Sequence, residues 1–399
     1  MKYKAYKYRL YPTQQQKVLL AKHFGCCRWL YNYALNKKIK AYQTNKVTLT
    51  RYEISADLPM LKQQEETCWL KEVNSLSLQA ALINLDAAYK KFFREHARFP
   101  KFKSKKDNRQ SFNVPQNTIV DFDNNCISIP KFKEGIKARL HRKFEGTVKS
   151  STITRTPTGK YFISVTIEVN IPDAQKKPIS ENKAVGIDLG VKTFATLSDG
   201  TEIPNHRYLK QSLAKLKKLQ RKHSKKARGS HNREKSRIKV ARLHEKIVNQ
   251  RLDFLHKVVH FLVTHYDTIC LEDLNVKGMV KNHHLAQVIS DVGMGMFNTL
   301  LEQKAEEYGV NILRIGRFEP SSKMCTCGYV NKDLTLAMRE WICPECGTHH
   351  KRDLLAANNI KRFALRDINT DGTSEINACG DMIMSSDESA QEAPLFREG

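Results

Sequence analysis

Two groups of residues in this chain have the types and spacing to do chemistry. The first is Cys325-x-Cys327, fifteen intervening residues, then Cys343-x-x-Cys346, so four thiols fall within 22 residues. Gly328 and Gly347 follow the two pairs and let the backbone turn, so that neighbouring thiolates converge as a tetrahedral four-sulfur Zn²⁺ site requires. The CPECG pair is the stronger half, and the C-x-C pair has the tighter bite. His349 and His350 lie near enough in sequence to substitute as ligands. The other cysteines (Cys26, Cys27, Cys68, Cys126, Cys270 and Cys379) are not grouped in this way. In a reducing compartment such clustered pairs read as metal ligands rather than disulfides.

The second group is three carboxylates. Asp188 ends the apolar run Ala184–Ile187 between Gly186 and Gly190, Glu272 ends Thr268–Leu271, and Asp353 precedes the helical stretch Leu354–Ile360. A carboxylate at the end of a buried strand is costly unless a cation pairs with it. Three together could hold two Mg²⁺ ions, which activate a water and stabilise the leaving 3′-oxygen of a phosphodiester. Taken alone, Asp353 could equally be an N-cap. Asp199-Gly200 reads as a hairpin turn, and Asp273 is a neighbour without an assigned part.

The elements that must position these groups follow from periodicity. Residues 3–10 alternate as a strand, and helical spacing of apolar residues runs from about Thr13 to Tyr42 and from Ser77 to His96. Short alternating segments then predict a small antiparallel barrel or sandwich: Ser111–Val114, Cys126–Ile129, Ser151–Thr156 and Tyr161–Val169. The strand at 3–10 joins it, with the helices as an insertion. Pro172–Asn182 is a linker. Ala184–Gly190, Phe194–Leu197, Thr268–Glu272 and 310–315, with a helix at about 294–308, give the αβ alternation of a layered sheet. Residues 367–399 hold eight acids and one Arg and predict a disordered acidic tail.

Charge narrows the partners. The 399 residues carry 68 Lys+Arg against 41 Asp+Glu, a formal net charge of +27. Polyanions are the natural partners of such a surplus, because each cation that meets a phosphate releases a condensed counterion. Residues 210–257 hold seventeen Lys/Arg and three acids, so half of the excess lies on one stretch. Leu213, Leu216, Leu219, Val240, Leu243 and Ile247 give that stretch helical periodicity around Gly229-Ser230, which predicts an antiparallel pair of basic helices. No apolar run reaches the ~20 residues of a membrane span, and MKYKAYKYRLYP lacks the apolar core of a secretory leader. A membrane or secreted protein is therefore not expected; the expected location is the prokaryotic cytoplasm, with the nucleoid when bound.

Several motifs together resemble the TnpB family of insertion-sequence proteins, which is related to type V CRISPR effectors. They are VGIDLGVKTFATLSDG at 185–200, LEDLNVKGM at 271–279, SSKMCTCG…WICPECGTHHKRD at 321–353 and AANNI at 356–360. RLYPTQQQ, CRWLYNYAL, LQAALINLDAAYKKFF and FPKFKSK extend the resemblance over about residues 1–366. It implies an α/β multidomain protein. A β-barrel wedge domain (1–10 and 99–180) would carry a helical recognition insertion (11–98). An RNase H-like RuvC nuclease domain (183–320, with the basic hairpin 210–257) would contain a zinc ribbon (321–349) and a last helix (350–366).

The implied activity is RNA-guided DNA endonuclease of a transposable element, with target double-stranded DNA and a guide RNA derived from the transposon end as partners. No protein oligomer is implied. By position Asp188, Glu272 and Asp353 become the catalytic, Mg²⁺-binding carboxylates, with Asp188 the bridge between both ions, and Cys325, Cys327, Cys343 and Cys346 the Zn²⁺ ligands. Lys217, Lys218, Arg221, Lys222, Lys225, Lys226 and Arg228 become contacts to RNA or heteroduplex phosphates. Asn74 and Gln79, at a helix start, become readers of the adjacent DNA motif. Two positions depart from the family pattern. The first knuckle is one residue short, which bears on zinc, and Leu355 stands where Asn is common, which bears on the floor of the carboxylate site. The alternative of the same lineage is a nuclease-inactive RNA-guided DNA-binding protein acting as a repressor. An actin-like ATPase shares the strand-Gly-x-Asp-x-Gly start, but the chain has no Walker-type loop and more positive charge than that activity needs.

Overall fold

Thr13 opens the first helix through a capping box: its hydroxyl accepts from the Gln16 N–H, and the Gln16 side chain accepts from the Thr13 N–H. In this computed structural model, which describes residues 2–107, 110–335 and 337–370, that cap separates β1 (Lys2–Leu10) from α1 (Gln14–Asn45). Helices α2 (Arg51–Ala56), α3 (Leu58–Gln63) and α4 (Ser75–Arg94) follow. The chain then returns to strands β2 (Gln110–Val114), β3 (Ile119–Asp121), β4 (Cys126–Ile129), β5 (Phe132–Arg139), β6 (Thr147–Arg155) and β7 (Tyr161–Val169).

These strands and β1 form one seven-stranded antiparallel sheet ordered β2-β6-β7-β1-β5-β4-β3. Since β1 lies between β7 and β5, the helices interrupt the sheet in sequence rather than precede it. Leu20, Phe24 and Leu30 of α1 and Leu78 and Leu85 of α4 share a core with Tyr8, Ile153, Ile163 and Val165 of the strands.

The chain divides into two units, Met1–Gln175 with Arg207–Lys257, and Lys176–His206 with Val258–Gly399. The basic stretch forms α5 (Tyr208–Ser224) and α6 (His231–His265), and Gly229 turns between them at φ +83°. Leu216, Leu243 and Ile247 pack with Leu219 and Val240, as the periodicity predicts. The sequence reading puts this pair inside the 183–320 segment, whereas the structure groups residues 207–257 with the first unit. Arg237 donates to the Pro157 carbonyl, and Glu245 accepts from Lys160 at 2.9 Å and Thr158 at 3.3 Å.

The second unit is built on β8 (Ala184–Leu189), β9 (Thr193–Leu197), β10 (Glu202–Pro204), β11 (Thr268–Glu272) and β12 (Asn311–Ile315), ordered β10-β9-β8-β11-β12. β8, β11 and β12 run parallel, while β9 and β10 are antiparallel additions. β8 and β11 read as unbroken apolar runs because both of their faces are covered. Helices α7 (Val276–Lys281), α8 (His283–Val292) and α9 (Met294–Tyr308) lie between β11 and β12. A small hairpin of β13 (Glu340–Ile342) and β14 (His349–Lys351) precedes α10 (Arg352–Thr370).

The helix expected at 350–366 thus continues to Thr370, and the rest of the predicted acidic tail, 371–399, lies outside the described residues. Among the described residues, no helix is long and apolar enough to cross a membrane.

Helix α10 packs on β8 at Gly186. A Cβ built there would stand 2.0 Å from the Ala357 carbonyl oxygen and 2.7 Å from the Lys361 backbone nitrogen. Neither atom can move without moving the helix, so only glycine permits this approach. Gly186→Ala is expected to destabilise the second unit by about 3 kcal/mol or more, read as a lower midpoint in thermal unfolding. An unchanged midpoint would contradict the close helix–strand packing.

Candidate active site

The three carboxylates reach one place by separate routes. Ile187 pairs with Leu271 in the ladder, so Asp188 and Glu272, one residue further on, stand at the carboxyl ends of adjacent parallel strands about 4.8 Å apart. The outside of the carboxyl ends of such strands is where open α/β sheets bind ligands. Asp353 lies in the first turn of α10, four residues before Ala357, whose carbonyl faces Gly186. That spacing keeps Asp353 on the strand-facing side of the helix, one turn nearer the end of β8. All three line a single cavity of about 240 Å³, with Arg339, Arg352 and Ser321 also in its wall.

The carboxylates feel one another. Burial pushes the Asp188 carboxyl up, and the neighbouring Glu272 and Asp353 push it further, to about 7, against the opposing pull of Arg352 and Arg339. Asp353 is not an N-cap: it lies within the helix, and both its oxygens accept from Arg339 Nη1, at 3.2 and 3.4 Å. Glu272 Oε1 accepts the Ser321 hydroxyl proton at 2.5 Å. Ser321 is held in turn by Asn359, 2% exposed on α10, whose side-chain amide donates to the Ser321 and Met324 carbonyls at 2.7 Å each. Asp199 and Asp273 serve elsewhere: Asp199 accepts from the Thr201 N–H in its turn, and Asp273 pairs with Arg317.

Ser321, Arg339 and Asn359 escape the sequence reading. The only signals for them are the Ser-Ser step before the first knuckle and the need of three acids for a nearby cation. Leu355 is corrected as well. It packs with Cys325, Leu334, Trp341 and Cys343 in the core of the cysteine region, while Ala356 lines the carboxylate cavity.

The four cysteines converge, including Cys327 of the short knuckle, with their sulfurs all within 4.8 Å of one another. Cys325–Cys346 and Cys327–Cys343 are 3.5 and 3.6 Å apart. Four 2.3 Å bonds to a tetrahedral Zn²⁺ would separate the sulfurs by about 3.8 Å, so the donor set fits that ion. Gly328 and Gly347 take φ of +100° and +70°, which lets both knuckles turn. His350 is buried, with Nε2 3.0 Å from Cys325 Sγ, where it can donate to the sulfur as a supporting partner beside a complete sulfur set. His349 pairs with Glu340 at 3.3 Å.

The predicted nucleic-acid contacts separate into two kinds. Lys217, Lys218, Arg221, Lys222 and Lys225 line one shallow groove with Ala214, and Lys226 and Arg228 are exposed beside it. In the helical insertion Gln79 is exposed, but Asn74 is buried as the N-cap of α4. Its carbonyl oxygen accepts from the Leu76 N–H, its amide donates to Ser77, and its backbone N–H donates to His23. With its polar groups engaged inside the protein, Asn74 caps a helix and is withdrawn as a DNA reader.

Residues 162–283 match a family described as "Probable transposase", and residues 295–360 a "Cas12f1-like, TNB domain". A "Putative RNA-guided DNA endonuclease" of Streptomyces pristinaespiralis is 38% identical over 97% of this chain and 94% of its own length. The chain belongs to the TnpB family. A second relative, "Putative RNA-guided DNA endonuclease InsQ" of Escherichia coli K12, is 31% identical over 97% of this chain and 96% of its own. The fold is similar to that of the protein in the Cas12f1–sgRNA–target DNA complex, with a TM-score of 0.51 at 15% identity over 88% of this chain and 83% of that one. Residues 1–46 match a "Helix-turn-helix domain", yet in this TnpB-family chain the described residues 2–46 hold one strand and one unbroken helix of 32 residues.

The raised Asp188 group sets a pH dependence of stability. Below pH 3.8, its ordinary value, it is protonated in both folded and unfolded chains and contributes no penalty. As pH rises, the unfolded chain releases the proton first, so stability falls until the folded group ionises near 7. The full loss above that point is on the order of 2–4 kcal/mol. In Mg²⁺-free buffer, Asp188→Asn is therefore expected to melt several degrees above the native chain at pH 8.5 and by a clearly smaller margin at pH 5. An equal difference at both pH values would contradict the coupling.

Proposed function

We propose that the chain is an RNA-guided DNA endonuclease whose hydrolytic centre is the Asp188–Glu272–Asp353 cluster. The observation that carries this reading is the meeting of three carboxylates from distant parts of the sequence in one cavity, with Asp188 raised to about 7 by burial and by the other two. Three carboxylates lining one cavity are a fitting cradle for divalent cations. Asp188, Glu272 and Asp353 would hold two Mg²⁺ ions; when bound, such ions activate water and stabilise the leaving oxygen of a phosphodiester.

The chain's own residues do the remaining work. Ser321 fixes one oxygen of Glu272 and so directs the other. Arg339 and Arg352 in the cavity wall supply positive charge for a phosphate entering beside the acids. Cys325, Cys327, Cys343 and Cys346 would hold Zn²⁺ and thereby fix the region that carries Arg339. The seven-stranded sheet with its inserted helices is read as the wedge barrel and recognition region, and the second unit as an RNase H-like RuvC domain with its ribbon. The cations of α5 are read as contacts to guide RNA or heteroduplex, a backbone-directed role in which base pairing supplies sequence. Gln79 is kept as a reader of the adjacent DNA motif.

Two measurements test this reading. The chain purified with co-expressed RNA is expected to cut a matched plasmid in Mg²⁺, and Asp188→Ala to lose cutting by at least about 10³-fold while RNA-dependent binding survives. Firm binding without cutting by the native chain would favour the nuclease-inactive repressor instead. Elemental analysis is expected to find one zinc per chain, lost in Cys343→Ser. Zinc-free protein with native stability would remove the ribbon assignment.

A further inference from the structure

Phe318 is the most exposed large apolar side chain among the described residues, at 95%. It stands on the turn between β12 and the first cysteine knuckle, and three observations show that this turn is braced. Arg317 donates to the Asp273 backbone carbonyl at 3.2 Å and pairs with its carboxylate at 2.7 Å. Glu319 pairs with Arg366 at 3.6 Å, and its N–H donates to the Gly316 carbonyl. Ser321 closes the turn on Glu272 itself. The turn is therefore held in place with its one apolar ring turned to solvent.

Position and chemistry indicate what that ring meets. Ile315, the last residue of β12, is the ladder partner of Glu272, so the turn begins at the same strand end as the carboxylates. Arg317 and Glu319 on either side of the ring are each engaged in an ion pair, and Lys323 follows in the same segment. A protein interface needs a contiguous patch on the order of several hundred Å². Among the described residues, no other large apolar side chain is exposed between Tyr308 and Met338. A single exposed ring, held on a braced turn at the strand end that carries the carboxylates, matches an unpaired nucleobase, since every base offers a face for stacking.

We infer that Phe318 is a positioning residue: a base of the single DNA strand entering the carboxylate cavity stacks on its ring, and this sets which phosphate reaches the acids. The inference rests on the nuclease reading and adds the means by which the strand is held.

The test uses the full chain with its co-purified RNA. A matched single strand carrying 5-iodouracil is bound to the Asp188→Asn chain and irradiated, and the crosslinked peptide is identified by mass spectrometry. The expected result is a crosslink at Phe318, kept in Phe318→Trp and lost in Phe318→Leu. In the otherwise native chain, Phe318→Leu is expected to raise KM for the matched strand roughly tenfold, with Phe318→Trp within about twofold of native.

Crosslinks confined to other residues, or Phe318→Leu cutting with native KM, would overturn the inference and leave the nuclease reading standing. A native chain that crosslinks at Phe318 without cutting would instead uphold the strand contact and reject the nuclease reading. A change of oligomeric state in Phe318→Leu, with cutting unaltered, would assign the ring to a protein contact and also overturn it.

Discussion

Mutual repulsion among Asp188, Glu272 and Asp353 is the constraint on which the second unit turns. Left to themselves, three carboxylates would move apart into water. Here the parallel ladder of β8 and β11 fixes two of them side by side, and the packing of α10 on Gly186 brings the third alongside. Rigid elements rather than loops oppose the repulsion, which is how a site avid for cations can persist in a folded protein. Burial first, and then the repulsion of Glu272 and Asp353, displace the Asp188 carboxyl upward.

The partners of the acids are supplied from the other side of the cavity by the cysteine-bearing segment. Ser321 precedes the first knuckle, Arg339 precedes β13, and Asn359 on α10 ties the Ser321–Met324 backbone to the helix that carries Asp353. One segment therefore holds the proposed zinc site and trims the electrostatics of the carboxylates. Leu355 joins the two arrangements, because it buries its side chain among Cys325, Cys343 and Trp341 while its neighbour Ala356 faces the acids. In the first unit, the cations of α5 stand on a helix anchored by a leucine seam, which leaves their side chains exposed.

Much of the site was legible because its signals are local. A buried parallel strand is an unbroken apolar run, so a terminal Asp or Glu stands out, and paired cysteines followed by glycine announce a knuckle. The residues that escaped act across the fold: Asn359 reaches back 38 positions to Ser321, and Arg339 meets Asp353 only because a hairpin returns the chain. Asn74 shows the opposite failure, since a polar residue before a helix looks the same whether it caps or contacts DNA, and only its burial against His23 decides. Among the strands, β5 went unseen because Gly135 and exposed charges break its alternation, and three-residue β3 is too short to carry a pattern. The grouping of α5 and most of α6 with the first unit depends on the contacts of Glu245 and Arg237, which periodicity cannot foresee.

The most direct measurement is Mn²⁺ binding followed by electron paramagnetic resonance in the native chain and in Asp188→Asn, Glu272→Gln and Asp353→Asn. The expected result is tightly bound Mn²⁺ in the native chain and a marked loss in each variant, because the three side chains form one cation site. Native-like Mn²⁺ binding in any one of the three, with the fold intact, would contradict it.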